Sequence, residues 1–544
     1  MIMRKLTRQV SMSYTDPVVE TRAGRLRGAC VEGTYIFRGV QYAQARRFHM
    51  PEPVKSWEGV RPALHFSPVC PEINTGIAGD EPYVPHFYFP QSEDCLSLNI
   101  WTQSLDPDRK RPVMVWLHGG GWFAGSSVEI FSYDGENLSA FGDVVVVSIN
   151  HRLNVLGYLD LSAYGEEYKY SGNSGIGDMV EALRWIRDNI ASFGGDPDNV
   201  TVFGQSGGGA KVLSLLQTPA ADGLFHRAIM QSGGARGRHQ ADMAQVKAQA
   251  QQVAALVLER LHISPENVAE IETVDFYDLA QAAGEAIWLA KNKLQIPFSW
   301  GPVADGEYYY GHPGAYGFRP ESRHIPMLVG NVFGEFENNI GDPIGEGNKN
   351  TWSEEYKEAL FRELYGEAGS DLAAAFAKAY PDHNTADMIF LAKRSRVSNT
   401  EFCKLRAEME GAAPIYNWLF ALESPFMGGT VAWHNADEPY VFHNAQYTES
   451  QYEPGVSEYV QDRMAGAWVA FAETGNPNIP LLPEWPAVDA DGCRTMVFDR
   501  ECRVTEADFD YDLCKNFPVP DLSKQKKREP STMPQGATRG FEVK

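Results

Sequence analysis

Residues 200–211 read Val200-Thr201-Val202-Phe203-Gly204-Gln205-Ser206-Gly207-Gly208-Gly209-Ala210-Lys211, and the fold follows from how that stretch is read. The β-branched and aromatic run at 200–203 predicts a strand, and residues 210–217 predict a helix. Gly204-Gln205-Ser206-Gly207-Gly208 turns the chain between them. A G-x-S-x-G turn needs small residues beside the serine, because the serine backbone is strained and the helix passes close to the strand. The hydroxyl is left exposed at the end of the sheet, so the stretch reads as a nucleophile elbow with Ser206 at its tip. A glycine-rich loop without chemistry is the plainer alternative, and the surrounding chain must decide.

Upstream, residues 112–117 form a continuous apolar run suited to a buried parallel strand, and they end in His118-Gly119-Gly120-Gly121-Trp122. Three glycines at the carboxyl end of a central strand let the backbone bend and present its N–H groups, as an oxyanion hole requires. Paired with the serine turn, this is the expected arrangement for acyl-transfer chemistry. Residues 144–149 predict the next buried strand. Gly172 to Asp178 opens a helix with Met179, Leu183, Ile186 and Ile190 on one face, and Phe193-Gly194-Gly195-Asp196-Pro197 stops it. The G-x-x-G-x-G within that opening follows no strand, so it is not read as a dinucleotide site.

Downstream, strands are predicted at 228–232, 325–330 and 414–422, a long helix at 240–261 and a helical region from about 352 to 411. Carboxylates in Asn331-Val332-Phe333-Gly334-Glu335-Phe336-Glu337 lie just past a strand end, and residues 431–438 form a loop. Near the start, 18–27 and 34–40 suggest a small antiparallel hairpin, 46–91 an irregular loop rich in proline and aromatics, and 96–101 a strand. Residues 1–17 are expected as a flexible arm, 18–515 as one domain, and 516–544 as a polar tail. Strands alternating with helices predict an α/β fold: a large, mostly parallel, twisted sheet covered by helices on both faces.

At 544 residues and 43% hydrophobic content the chain can bury a large core, and its formal charge of −23 argues against a nucleic-acid-binding face. The amino terminus has no apolar stretch after its basic residues, and no later run is long and apolar enough to span a bilayer, so a soluble, cytoplasmic protein is expected. Seven cysteines, with no C-x-x-C pair and no zinc-spaced cluster, predict mostly free thiols and no metal. No cofactor is expected.

The chain resembles the type-B carboxylesterases of the cholinesterase-like α/β-hydrolase family. The resemblance rests on Ser92-Glu93-Asp94-Cys95-Leu96-Ser97-Leu98-Asn99-Ile100-Trp101, the glycine triplet, the 173–178 helix opening, Phe193 to Pro197 and Val200 to Gly209. It continues through Gly330 to Phe336, His434 to Phe442 and Phe471-Ala472-Glu473-Thr474-Gly475-Asn476-Pro477. It implies a triad of Ser206, Glu335 and His434, with the backbone N–H groups of Gly120, Gly121 and Gly207 as the oxyanion hole. Glu337 competes with Glu335 for the acid, and His443 with His434 for the base. The resemblance also implies that Phe298 and Trp300 wall an acyl pocket, with ordinary core packing as the alternative.

Three departures narrow the substrate. Gln205, counted with Phe298 and Trp300 as a substrate-binding residue, stands before the serine where many relatives carry Glu, so a negative charge beside the site is missing and a neutral ester is expected. The loop from Cys70 to Cys95 matches a disulfide-closed loop of secreted relatives, which leaves pairing of Cys70 with Cys95 open. That loop has no tryptophan to stack on a quaternary ammonium, so choline esters are not expected. No second cysteine pair stands near 240–270, as secreted animal members have. The function implied is a cofactor-independent serine esterase acting on small-molecule neutral esters. An amidase or a detoxifying hydrolase of a bulky ester with the same triad remains the alternative, and a non-catalytic adhesion member of the fold is a further one.

Overall fold

Valines and isoleucines that alternate between two buried faces set the sheet. In the computed structural model, which describes residues 16–73, 83–340, 344–345 and 347–520, eleven strands form one sheet. In chain order they are β1 (Ala29–Val31), β2 (Thr34–Gln41), β3 (Ser97–Thr102), β4 (Arg111–Leu117), β5 (Val145–Ile149), β6 (Gly195–Gln205), β7 (Arg227–Gln231), β8 (Met327–Val332), β9 (Ile415–Phe420), β10 (Thr495–Phe498) and β11 (Arg503–Val504). Their spatial order is β1-β2-β3-β5-β4-β6-β7-β8-β9-β10-β11. From β5 to β10 every neighbouring pair is parallel. Antiparallel pairs close both edges.

The period of two sorts β4 between the layers: Val113, Val115 and Leu117 join one buried cluster, Met114 and Trp116 the other. Strands buried on both faces cannot alternate with polar residues, which is why β4 reads as an unbroken apolar run. Each fully buried side chain of this kind contributes about 1.5–3 kcal/mol. Helices α1 (Ser174–Asn189) and α2 (Gly207–Leu216) cover the first face, through Met179, Leu183 and Ile186 and through Val212 and Leu216. Helix α3 (Val456–Thr474) covers the second with Val460, Met464, Trp468 and Phe471. Among the described residues no helix is long and apolar enough to cross a membrane.

The expected small antiparallel hairpin near the start is present, but it forms within residues 18–27 and not between 18–27 and 34–40. Val18–Glu20 pairs with Arg25–Arg27, forming a small sheet with Val60–Pro62. Thr34–Gln41 pairs instead with Ala29–Val31 and with β3, extending the main sheet. Alternation identified strands at both places but carries no information on which strand meets which. The expected arm and tail lie largely outside the described residues, as does 74–82 of the aromatic loop. The described part of that loop is packed in places and open in others: Phe87 sits on Phe131 with centroids 3.9 Å apart and Tyr83 lies edge-on to Trp433 at 5.0 Å, while Tyr88 is exposed. Trp433 immediately precedes His434, so the aromatic loop abuts the carboxyl-end loops of the sheet.

Candidate active site

Ser206 has φ 55° and ψ −122°, a conformation that a non-glycine residue adopts only when its surroundings enforce it. The enforcement is visible on both sides. Strand β6 delivers the Ser206 N–H to the carbonyl of Gln231 at 2.8 Å, and α2 starts at once, with the Ala210 N–H donating to the Ser206 carbonyl at 3.1 Å. The helix can turn so tightly only because Gly207 and Gly208 lack side chains. A Cβ on Gly208 would come within 1.9 Å of the Leu117 carbonyl oxygen, and one on Gly207 within 2.5 Å of the Gly121 backbone nitrogen. The serine turn and the glycine triplet are therefore in backbone contact. Gly120 and Gly121 take φ of 78° and 62°, which their lack of a Cβ permits without strain.

Three loops from strand ends meet at the serine hydroxyl. His434 Nε2 lies 2.7 Å from Ser206 Oγ, and His434 Nδ1 is hydrogen-bonded to Glu335 Oε2. A carboxylate only accepts, so Nδ1 carries the proton and Nε2 is free to accept one from the hydroxyl. Glu335 itself has φ 48° and is 6% exposed. Its second oxygen accepts from Ser232 Oγ at 2.7 Å and from the Val332 N–H at 3.3 Å, which fixes the carboxylate plane. A hydroxyl, an imidazole and a buried carboxylate in line can move a proton off the hydroxyl and stabilise the resulting imidazolium.

The carboxylesterase family profile matches residues 15–511. The chain belongs to the carboxylesterase family. It is 32% identical to the para-nitrobenzyl esterase of Bacillus subtilis over 504 residues, covering 90% of this chain and 96% of that protein. To the phenmedipham hydrolase of Pseudarthrobacter oxydans it is 31% identical over 514 residues, again 90% and 96%. Among solved structures, an esterase from anaerobic Clostridium hathewayi that can hydrolyse aliphatic aromatic polyesters superposes with a TM-score of 0.85 at 44% identity, covering 93% of this chain and 98% of that one. The protein is accordingly a carboxylic ester hydrolase of the α/β-hydrolase fold.

In this esterase the competing candidates lie apart from the serine. His443 Nε2 is 2.8 Å from Asp462 Oδ1, with its ring stacked on Phe141. Glu337 sits near Lys393 and Arg394, its carboxyl raised by burial against their opposing charge. Gln205, expected to bind substrate, is 2% exposed and donates from Nε2 to the His434 backbone carbonyl at 2.5 Å. A glutamate there has no N–H to offer that carbonyl. Phe298 and Trp300 meet edge to face at 5.2 Å and pack against the core. The next residue, Gly301, lies beside Trp122, whose ring would be 3.2 Å from a Cβ on that glycine, so the segment borders the glycine-triplet loop. Cys70 and Cys95 are free buried thiols, with Cys95 hydrogen-bonded to Cys70 and the Leu153 N–H donating to Cys70 Sγ at 3.2 Å.

Two supporting residues escaped the sequence. Ser232 orients Glu335 from the end of β7, and a lone Gln-Ser pair after a strand gives no sign of it. Asp437, three residues past His434, is wholly buried and accepts from Gln231 Nε2 at 2.6 Å. Burial, with Glu335 adding repulsion, pushes its carboxyl up to about 7 from its ordinary 3.8. An acid whose folded value exceeds its unfolded one contributes stability that is complete below about 3.8 and is lost as pH rises through about 7. Asp437→Asn removes that titration. The variant is expected to gain on wild type by about a few degrees of Tm between pH 5 and pH 8, read by calorimetry at both.

Proposed function

We propose that Ser206 is the nucleophile, His434 the general base and Glu335 the acid of the esterase, and that the N–H groups of Gly120, Gly121 and Gly207 form its oxyanion hole. The observation that carries this reading is the unbroken line from Ser206 Oγ through the His434 ring to Glu335. Ser206 Oγ attacks the ester carbonyl carbon while His434 Nε2 takes the hydroxyl proton. The tetrahedral oxyanion is held by the backbone donors, each worth about 3 kcal/mol in the transition state. His434 then gives the proton to the leaving alkoxide, the alcohol departs, and water attacks the acyl-serine by the same route in reverse. The seven free thiols fit a reducing, cytoplasmic setting.

For substrate class, a neutral ester with an aromatic group is the best fit. Gln205 brings no charge to the site. Phe336 is 78% exposed although it follows Glu335 directly, and its ring lies 4.0 Å from that of His434. Phe123, 44% exposed, has its ring edge against Gly121. Exposed rings beside His434 and Gly121 offer edge and face contacts to an aromatic acyl or alcohol group. The activity of the Clostridium hathewayi esterase on aliphatic aromatic polyesters agrees with this reading.

A panel of p-nitrophenyl acetate, p-nitrophenyl benzoate, a short aliphatic aromatic oligoester and acetylcholine tests it. Turnover of the first three, with acetylcholine the poorest, is expected; a preference for acetylcholine would overturn the assignment. In the same panel Phe336→Ala is expected to raise KM for the benzoate about fivefold, the worth of one aromatic pair, while the acetate is little changed.

A further inference from the structure

Lys211, the last residue of the opening stretch, is used by neither the triad nor the proposed oxyanion donors. It lies one turn into α2 and is completely buried. Its ammonium donates to the His118 carbonyl at 2.8 Å and reaches the Gly119 carbonyl at 3.4 Å. The ring of Trp122 is 5.9 Å away. No carboxylate among the described residues forms an ion pair with it; Glu129, a residue of the same loop region, is the one that acts on it from a distance. A buried cation without a direct counterion is costly, and here backbone carbonyls solvate it in place of water. Burial accordingly lowers the ammonium to about 7.

The histidines around it add no second positive charge. His118 and His151 stack with centroids 5.0 Å apart, and both are held neutral, first by burial and then by the nearby Lys211 charge. His118 Nδ1 lies 2.9 Å from the Gly119 carbonyl and so must carry the proton there. Gly119 O thus faces two donors, and His118 O a third contact from the ammonium.

In a trans peptide the carbonyl and the following N–H point in opposite directions. Anchoring the carbonyls of His118 and Gly119 on Lys211 therefore turns the N–H groups of Gly119 and Gly120 away from it. A cation at the carbonyl end also polarises each peptide and strengthens its N–H as a donor. Glycine has the widest backbone freedom of any residue, so a run of three needs an external anchor to hold one geometry.

We infer that Lys211 is a positioning residue that clamps the His118–Gly119 carbonyls and so orients and polarises the Gly119–Gly120 peptide, whose N–H is one of the oxyanion donors of the esterase. This rests on the oxyanion donors proposed above. The test compares Lys211→Met with wild type in kcat, KM, Tm and affinity for phenylboronic acid, which forms a tetrahedral anionic adduct on an active serine. Expected is a fall in kcat of about 10- to 100-fold, somewhat less than the loss of a whole donor. KM stays within twofold, Tm stays equal or rises, and boronate affinity falls by the factor lost in kcat. Retention of kcat and boronate affinity within twofold overturns the inference, as does a lowered Tm with unchanged kcat per folded chain, the mark of a purely structural lysine. Should Lys211→Met not fold, Lys211→Gln is read by the same four measurements. Failure of the underlying reading is distinguishable, because wild type itself would then not bind the boronate.

Discussion

Ser206→Ala and His434→Ala are each expected to lower kcat for p-nitrophenyl acetate by roughly 10,000-fold or more, with Tm close to that of wild type. The size of the effect follows from how the three groups are coupled. A serine hydroxyl is a weak nucleophile until the imidazole 2.7 Å away takes its proton, and the imidazole alone has no nucleophile to activate. Removing either partner therefore removes the whole pathway, and the double variant is expected to be no worse than the single ones. Stability should hold because alanine can occupy the same backbone at residue 206, whose positive φ is imposed by β6 and α2 on either side. Wild-type turnover by either folded variant would contradict the assignment.

Glu335→Gln is the second large effect, with an expected loss of about 10,000-fold in kcat, against less than about threefold for Glu337→Gln. An amide at 335 can still hydrogen-bond the ring, but it offers an N–H as readily as a carbonyl. It no longer selects the tautomer that leaves Nε2 free, and it cannot stabilise the imidazolium. Glu337 faces Lys393 and Arg394 instead of the histidine, so its neutralisation leaves the proton path intact. Circular dichroism and Tm on both variants separate a catalytic loss from unfolding.

These outcomes divide along the same line as what the chain reveals before folding. The elbow at 200–211 is a local device, since strand, strained turn and helix are contiguous, although the close approach its glycines permit is to Leu117 and Gly121, on a strand and loop far earlier in the chain. The parallel core strands are legible from their own composition, burial on both faces leaving the apolar run 112–117 of β4 and three successive valines in β5. Contacts that depend on the third dimension are not. Glu335 and Glu337 have the same local setting, and only the meeting with a histidine 99 residues on separates them. Gln205 is at once the variable position of its motif and a hydrogen-bond donor to a carbonyl 229 residues away. Lys211 reads as an ordinary helix residue, yet its ammonium is spent on a strand end 93 residues earlier. Near the amino terminus a hairpin is legible but its partners are not, because alternation names strands and leaves their pairing unspecified.

The central claim is that an acyl group passes through Ser206. Treatment of the protein with one equivalent of a p-nitrophenyl phosphonate ester, followed by peptide mass mapping, tests it most directly. Complete inactivation is expected, with one p-nitrophenolate released per chain and the phosphonyl group on the peptide that carries Ser206. A phosphonyl group on another residue, or full esterase activity in a chain phosphonylated at Ser206, would contradict it.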